Sequence, residues 1–300
     1  MHNCPLCSGS GAERFPLSYT LKDKPFGAVQ CTSCSFIYIE PRPTDEELAL
    51  MYSDEYFLHD GAECGAHSST DYETAAQQGS VKFPAILGKI RKHRQEGSFF
   101  EVGCGMGHFL NYAKENGYTV SGIEYSKLGT EKCRSVFDLH VEQCSLEAFD
   151  PSGKKFDVIF MGDVLEHLVD PLAMAQKCRS MLAPGGVLAV EVPSMFNSIV
   201  GRLATSVFRM TGHVKRMPMP PYHVNEFVPR TLHSLFDRAG FEGISITQRI
   251  KKPSTITLRG AFYERWGKLF LQYPNVVLTS TANVFGDRLL GIGTQLLGAA

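Results

Sequence analysis

The stretch FEVGCGMGHFL, residues 100–110, limits what this chain can fold into more than any other. Gly103, Gly105 and Gly107 fall on alternate positions straight after an apolar run, and a helical pattern follows. Backbone so poor in side chains passes close to something. The loop also opens a regular alternation. Residues 98–102, 119–124, 156–161 and 186–192 read as strands, and 107–116, 127–137 and 172–182 as helices. That rhythm predicts an α/β fold with a mostly parallel sheet covered on both faces. Ligands of such sheets bind beyond the carboxyl ends of the strands, and the glycine loop lies at the end of the first.

Known cradles narrow the ligand. A phosphate loop needs Gly-Lys-Ser or Gly-Lys-Thr, which is absent here. The dinucleotide fingerprint wants a glycine at 108, where this chain has His, although Glu124 supplies the acid expected about 20 residues on for ribose hydroxyls. Glu101, two residues before the glycines, would repel a pyrophosphate and attract a cation.

The N-terminal segment carries a second signal. Cys4-Pro5-Leu6-Cys7 and Cys31-Thr32-Ser33-Cys34 are two CxxC pairs, 23 residues apart. Two such knuckles can place four thiolates around zinc, and four protein ligands make a structural site. A redox CxxC leaves the second pair without a role. After the strand pattern of 36–39, Thr44 and Glu47 form a capping-box pattern ahead of a short helix. Residues 61–80 read as a polar linker, and 82–95 as a basic lead-in helix. The expected organisation is a zinc ribbon over 1–40, linker and lead-in helices over 41–95, and one larger domain over 96–300.

Composition adds exclusions. The formal net charge is -1, with 43% hydrophobic and 20% charged residues, an ordinary globular balance that gives no reason to expect nucleic acid. Residues 200–259 are the exception, with ten Lys/Arg against three Asp/Glu. They read as a solvated basic face, or as a face for an anionic substrate or membrane surface. Nine cysteines, no apolar signal-peptide core in MHNCPLCSGS and no transmembrane-length apolar run lead to the expectation of a cytoplasmic protein, with peripheral membrane contact as an option.

EVGCGMG followed by GIEYS resembles class I S-adenosylmethionine (SAM) methyltransferases, a Rossmann-like fold with a seven-stranded sheet. VEQCSLEAF, FDVIFMGDVLEHLVDP, LAPGGVLAVEVPS and PYHVNEFVPRTLHSLFDRAGFE match further motifs of that family in order. CPLC and CTSC extend the resemblance to a subgroup with an N-terminal zinc ribbon, associated with sugar or polysaccharide methylation. The resemblance implies SAM as cofactor. It would be held by Glu101, Gly103, Cys104, Gly105 and Gly107, by Glu124 on the ribose, by Tyr125, Ser145 and Leu146 around the adenine, and by Met161 in the wall. Relatives often carry an Asp for the adenine where this chain has Cys144-Ser145.

Methyl transfer to a hydroxyl, amine or acidic carbon asks for alignment and a general base. Asp163, Glu166 and His167, after the fourth strand of the domain, and Tyr222, His223 and Asn225 in PPYHVNEF are the candidates, with His167 and His223 foremost. Each histidine has a plainer reading as a loop-pinning hydrogen-bonder. Between strand five and His223, residues 195–221 form an insertion. There Ile199, Val200, Leu203, Val207 and Phe208 recur at helical spacing beside Arg202 and Arg209. That pattern fits a lid helix, or an interfacial helix on anionic lipid. A second, helical insertion is expected over 260–290, and a last antiparallel strand over 294–300. The acceptor is expected to be a small polar molecule, anionic or sugar-linked. The alternatives are an RNA methyltransferase, disfavoured by only three Lys/Arg in residues 1–40, a non-catalytic SAM-binding scaffold, and a nicotinamide-linked oxidoreductase.

Overall fold

The computed structural model describes residues 3–51, 80–250 and 262–296. Most of the linker read over 61–80, with Cys64, lies outside them. The chain begins with an antiparallel meander, β1 (Ala12–Leu21), β2 (Lys24–Cys31) and β3 (Ile37–Glu40). Helix α1 (Asp45–Met51) follows, opened by the expected reciprocal cap: the Thr44 amide donates to Glu47 Oε2 (2.9 Å) and the Glu47 amide to Thr44 Oγ1 (3.3 Å). Helix α2 (Phe83–Ile90) then leads into the main domain.

There the alternation is as read: β4 (Gly97–Val102), α3 (His108–Glu115), β5 (Tyr118–Glu124), α4 (Lys127–Phe137), β6 (Val141–Gln143), β7 (Phe156–Gly162), α5 (Pro171–Met181) and β8 (Leu182–Pro193). Next come α6 (Ile199–Thr211), β9 (Lys215–Met217), β10 (Asn225–Glu226), α7 (Pro229–Arg238), β11 (Glu242–Arg249), α8 (Phe262–Ala282) and β12 (Arg288–Thr294). The main sheet runs β11-β12-β8-β7-β4-β5-β6. Strands β8, β7, β4, β5 and β6 are parallel, and β12 is inserted antiparallel between β11 and β8. The chain runs one way from β4 to β6 and the other way from β4 to β7. That reversal opens a crevice at the carboxyl end of β4.

Two sequence expectations are corrected. The last strand is Arg288–Thr294, not 294–300, and the helical run ends at Ala282 instead of continuing to Leu290. Residues 297–300 lie outside the described ones. Gly291 and Gly293 masked the strand, because glycine carries no strand propensity. Their role is packing: a Cβ on either would sit 2.6 Å from the Phe236 ring. Only a bare backbone lets α7 lie that close to β12.

The N-terminal sheet is wider than its own segment supplies. Its order is β10-β3-β2-β1-β9, so strands from residues 215–226 close both edges. Tyr38 of β3, with Leu6 and Phe36 from the two cysteine-bearing turns, shares one buried cluster with Phe100, Leu165 and Phe227 of the main domain. The four-cysteine end is therefore packed onto the domain beside the segment carrying His223.

Candidate functional site

From Val102 the chain turns through Gly103 (φ 66°), Gly105 (φ 55°) and Gly107 (φ 83°) into α3. These left-handed conformations strain any residue with a Cβ. The Gly103 and Cys104 amides donate to Ile123 O (2.8 and 3.2 Å), tying the loop to β5. At the end of β5, Glu124 accepts the Gly105 amide at 2.7 Å and the Ser126 amide at 2.8 Å, one on each oxygen. A carboxylate oxygen has two lone pairs, so each keeps one for an incoming hydroxyl.

Under the loop lies Glu101, 4% exposed, with Oε2 lacking a hydrogen-bond partner among the described residues. Burial, with Cys133 and Glu124 nearby, pushes its pKa well above the ordinary carboxylate value. An orphaned buried carboxyl is costly unless a cation or donor arrives. Glu101, Gly103, Cys104 and Gly105 line a cavity of about 260 Å³, together with Lys82 and Asp163 among others. Gly107 caps α3 behind the loop. Tyr125 stands exposed beyond Glu124, while Ser145 (half-buried) and Leu146 (buried) follow β6. None of these four lines the cavity. Met161 is wholly buried in the core, and Gly162 next to it faces the cavity instead.

Charges gather at the mouth. Glu191, 1% exposed in β8, is 2.7 Å from Lys82 Nζ, 2.6 Å from Arg249 Nη1 and 3.4 Å from Arg288 Nε. Asp163 pairs with Arg288 and lies 3.7 Å from Lys82. Burial opposes its ionisation, but the charges of Arg288 and Lys82 outweigh burial and hold its pKa below the ordinary value. A carboxylate held so low is a weak base. Sequence reading missed Lys82, Glu191 and Arg288. One signal was available: Glu191 is an acid inside the apolar run LAVEV.

His167 and His223 come together from segments 56 residues apart, with ring centroids 5.0 Å apart. His167 sits in a 3-10 turn, Leu165–His167, and its Nδ1 lies 2.8 Å from Tyr222 O. A carbonyl only accepts, so Nδ1 carries the proton and Nε2 the lone pair. Burial lowers the His167 pKa, and burial with His167 alongside pushes His223 down to about 3. Both imidazoles are neutral at pH 7. Between them stands Glu166, 1% exposed, its Oε1 3.9 Å from His167 Nε2 and 4.0 Å from His223 Nε2. Neither Glu166 oxygen is hydrogen-bonded by another of the described residues, and burial, then Asp163, raises its pKa well above normal. These three ligand atoms lie within 4.8 Å of one another, a set able to hold a metal ion.

Arg42 stitches this side together. Its guanidinium donates to Val224 O (2.8 Å) and Asn225 Oδ1 (3.0 Å), and to Leu168 O (3.4 Å) and Val169 O on the His167 side. Asn225 Nδ2 adds a bond to Leu168 O (2.6 Å). Nothing in the sequence near Arg42 signals this reach.

The four N-terminal cysteines converge. Cys4 Sγ is 3.7 Å from Cys34 Sγ, and Cys7 Sγ 3.6 Å from Cys31 Sγ. Zinc–thiolate bonds of about 2.3 Å in a tetrahedron require sulfur–sulfur edges of about 3.8 Å. The donor set and its spacing suit zinc.

A family model described as a methyltransferase domain matches residues 78–246. Ubiquinone biosynthesis O-methyltransferases are similar to this chain. The protein from Psychrobacter cryohalolentis is 36% identical over 166 residues, covering 50% of this chain and 63% of the relative. The Cereibacter sphaeroides protein is 27% identical over 154 residues, covering 48% and 60%. The chain thus spans under two thirds of these relatives. Among solved structures, a Haloferax volcanii methyltransferase, in complex with the Trm112 methyltransferase activator, superposes with TM-score 0.52 at 13% identity, covering 75% of this chain and 95% of that one. A SAM-dependent methyltransferase from Archaeoglobus fulgidus gives 0.50 at 16%, covering 75% and 100%. At such identities the likeness establishes the fold.

Proposed function

This chain belongs to the methyltransferase domain family, and from that premise we propose that this SAM-dependent methyltransferase acts on a hydroxyl of a small polar acceptor, a sugar or a sugar-linked molecule. The observation that carries the oxygen is the pair of neutral imidazoles beside Glu166, three residues on from Asp163, which lines the cavity. A hydroxyl must lose its proton as its oxygen takes the methyl, and a carbonyl-oriented imidazole with its lone pair on Nε2 can accept it. The sugar assignment rests on the zinc-ribbon resemblance and the basic 200–259 segment.

SAM supplies a methyl already activated by its sulfonium. Glu101 offers the buried carboxyl for its cationic end, and Glu124 the two remaining lone pairs for the ribose hydroxyls. His167 orients the hydroxyl and takes its proton on Nε2, with Glu166 close enough to share the resulting charge. Zinc on Cys4, Cys7, Cys31 and Cys34 serves structure, since four thiolates leave no open position.

A second reading follows from the relatives named for ubiquinone biosynthesis: a phenolic acceptor, whose hydroxyl makes the same demand on His167. Incubation with methyl-labelled SAM and fractionated cell extract separates the two. Label in nucleotide-sugar, glycolipid or polysaccharide fractions is the expected result. Label confined to quinone precursors overturns the sugar, and label in RNA overturns the small acceptor.

A further inference from the structure

Helix α8 is inside out. From Phe270 onward its buried positions are polar: Gln272, Asn275 and Thr279, at 8%, 0% and 5% exposure. Its exposed positions are apolar: Phe270 at 80%, Tyr273 at 64%, Val277 at 60% and Leu278 at 37%. They fall at i, i+3, i+7 and i+8, one face of a helix. A helix on a water-facing surface has the opposite pattern. Thr279 Oγ1 lies 2.8 Å from both Asn275 O and Val284 O, while neither side-chain amide atom of Asn275 has a hydrogen-bond partner among the described residues.

Helix α6 packs beside α8 and also exposes apolar side chains. It buries no residue fully, and Leu203, Val207 and Met210 stand exposed at i, i+4 and i+7. The two helices are held as a unit. Asn197, one residue before the α6 cap, donates to Gly286 O (2.8 Å) just past α8, and the Arg202 guanidinium lies 5.4 Å from the Phe285 ring centroid. A joint apolar face of this kind calls for a cover.

Charge decides between covers. Between Glu191 and Glu226 the chain holds Arg202, Arg209, Lys215 and Arg216 and no acid, Glu13 of β1 lies 3.8 Å from Arg209, and residues 269–286 carry no charge of either sign, so the balance is cationic. A second copy related by a two-fold axis would face this cationic segment with itself. An anionic surface complements it. Among the described residues no helix is long and apolar enough to cross a membrane. We propose that the α6–α8 face docks on an anionic lipid bilayer, its apolar stripe entering the headgroup boundary and the lysine and arginine heads staying at phosphate depth. Docking of this kind does not depend on the acceptor's identity.

Vesicle sedimentation of the zinc-loaded full chain tests it, using phosphatidylcholine alone and phosphatidylcholine mixed with phosphatidylglycerol. The expected result is at least about tenfold stronger partitioning to the mixed vesicles, weakened by salt. Met210→Glu with Phe270→Glu, both at highly exposed positions, should lower it at least about tenfold and leave SAM affinity unchanged. Equal sedimentation of parent and double variant overturns the proposal, as does equal partitioning to both vesicle types. So does a concentration-dependent dimer, seen by ultracentrifugation without vesicles and abolished by the same pair.

Discussion

The proposed donor side and the proposed acceptor side of this site are built by different rules. On the donor side, Glu101, the three glycines and Glu124 lie within 24 consecutive residues, and adjacent parallel strands hold them. The acceptor side takes His167 from the turn after β7, His223 from the approach to β10, and Arg42 from the end of the N-terminal meander. The first is a local motif on a rigid scaffold. The second is an assembly of three distant segments, as strong as the bonds that stitch them. The two sides should therefore fail separately.

Breaking the four-cysteine cluster, with the zinc proposed for it, is the harshest way to break that comparison. Strand β3 leaves the second cysteine pair and pairs directly with β10, two residues beyond His223. Structural zinc contributes folding free energy outright. Cys31→Ser should unravel the N-terminal sheet, displace His223 and cut turnover at least about a hundredfold. SAM affinity, measured by calorimetry, should stay within about threefold of the parent. Comparable loss of SAM binding would show that the two sides are one.

The converse change is Glu124→Ala. It removes the carboxylate that accepts the Gly105 amide of the glycine loop and the Ser126 amide after β5, and with it the two lone pairs of the proposed ribose contact. SAM affinity should fall about a hundredfold, near 2.7 kcal/mol, as expected for two charge-assisted hydrogen bonds. Zinc content and the near-ultraviolet spectrum of the acceptor side should not change.

What the sequence showed follows the same division. The glycine loop, the strand-end acids and the parallel core were legible because each is written within one β-α unit, where the hydrophobic period and turn chemistry act. The two CxxC pairs were legible because thiol spacing encodes a ligand set. The sequence also named His167 and His223, but as separate candidates. Nothing local states that Tyr222 O receives one ring, or that Arg42 spans to Leu168 and Val224. Such contacts depend on how distant segments pack. The last strand was misplaced for a related reason: Gly291 and Gly293 answer to Phe236 across an interface, against the strand propensity of their own segment.

Acidity sharpens the comparison further. Burial pushes Glu226, in β10, up to about 8 in the folded protein, against an ordinary value near 4.5. Above about pH 4.5 the unfolded chain gives up this proton while the folded chain keeps it. Stability should therefore decline as pH rises from about 4.5 to about 8, and then level off. Glu226→Gln should flatten that decline, by on the order of 5 kcal/mol between the ends of the window. Urea unfolding at both ends measures it. A parallel decline in parent and variant would mean that Glu226 ionises freely.

Arg42 is a smaller lever on the same side. Burial lowers its pKa to about 10, so it remains a cation at neutral pH. Arg42→Gln keeps a donor but loses the fork that reaches both loops. Turnover should fall about tenfold with SAM affinity unchanged, and the His223 imidazole should titrate closer to its ordinary value as its surroundings open. Unmoved histidine resonances in a pH titration would remove Arg42 from this role.

The smallest effect tests the other half of the rule, that a locally written feature fails locally. The Thr44–Glu47 cap was read from four residues, and its two bonds are present as read. It is worth what caps are generally worth, because both partners belong to one helical turn and touch neither ligand side. Thr44→Ala should cost about 1 kcal/mol in denaturant unfolding, and both SAM affinity and the His223 titration should stay at parental values. Should turnover drop as well, α1 would have to press on the acceptor side through Met51, which is buried against the N-terminal sheet. Helix α1 would then belong to the assembled half of the site instead of the local one.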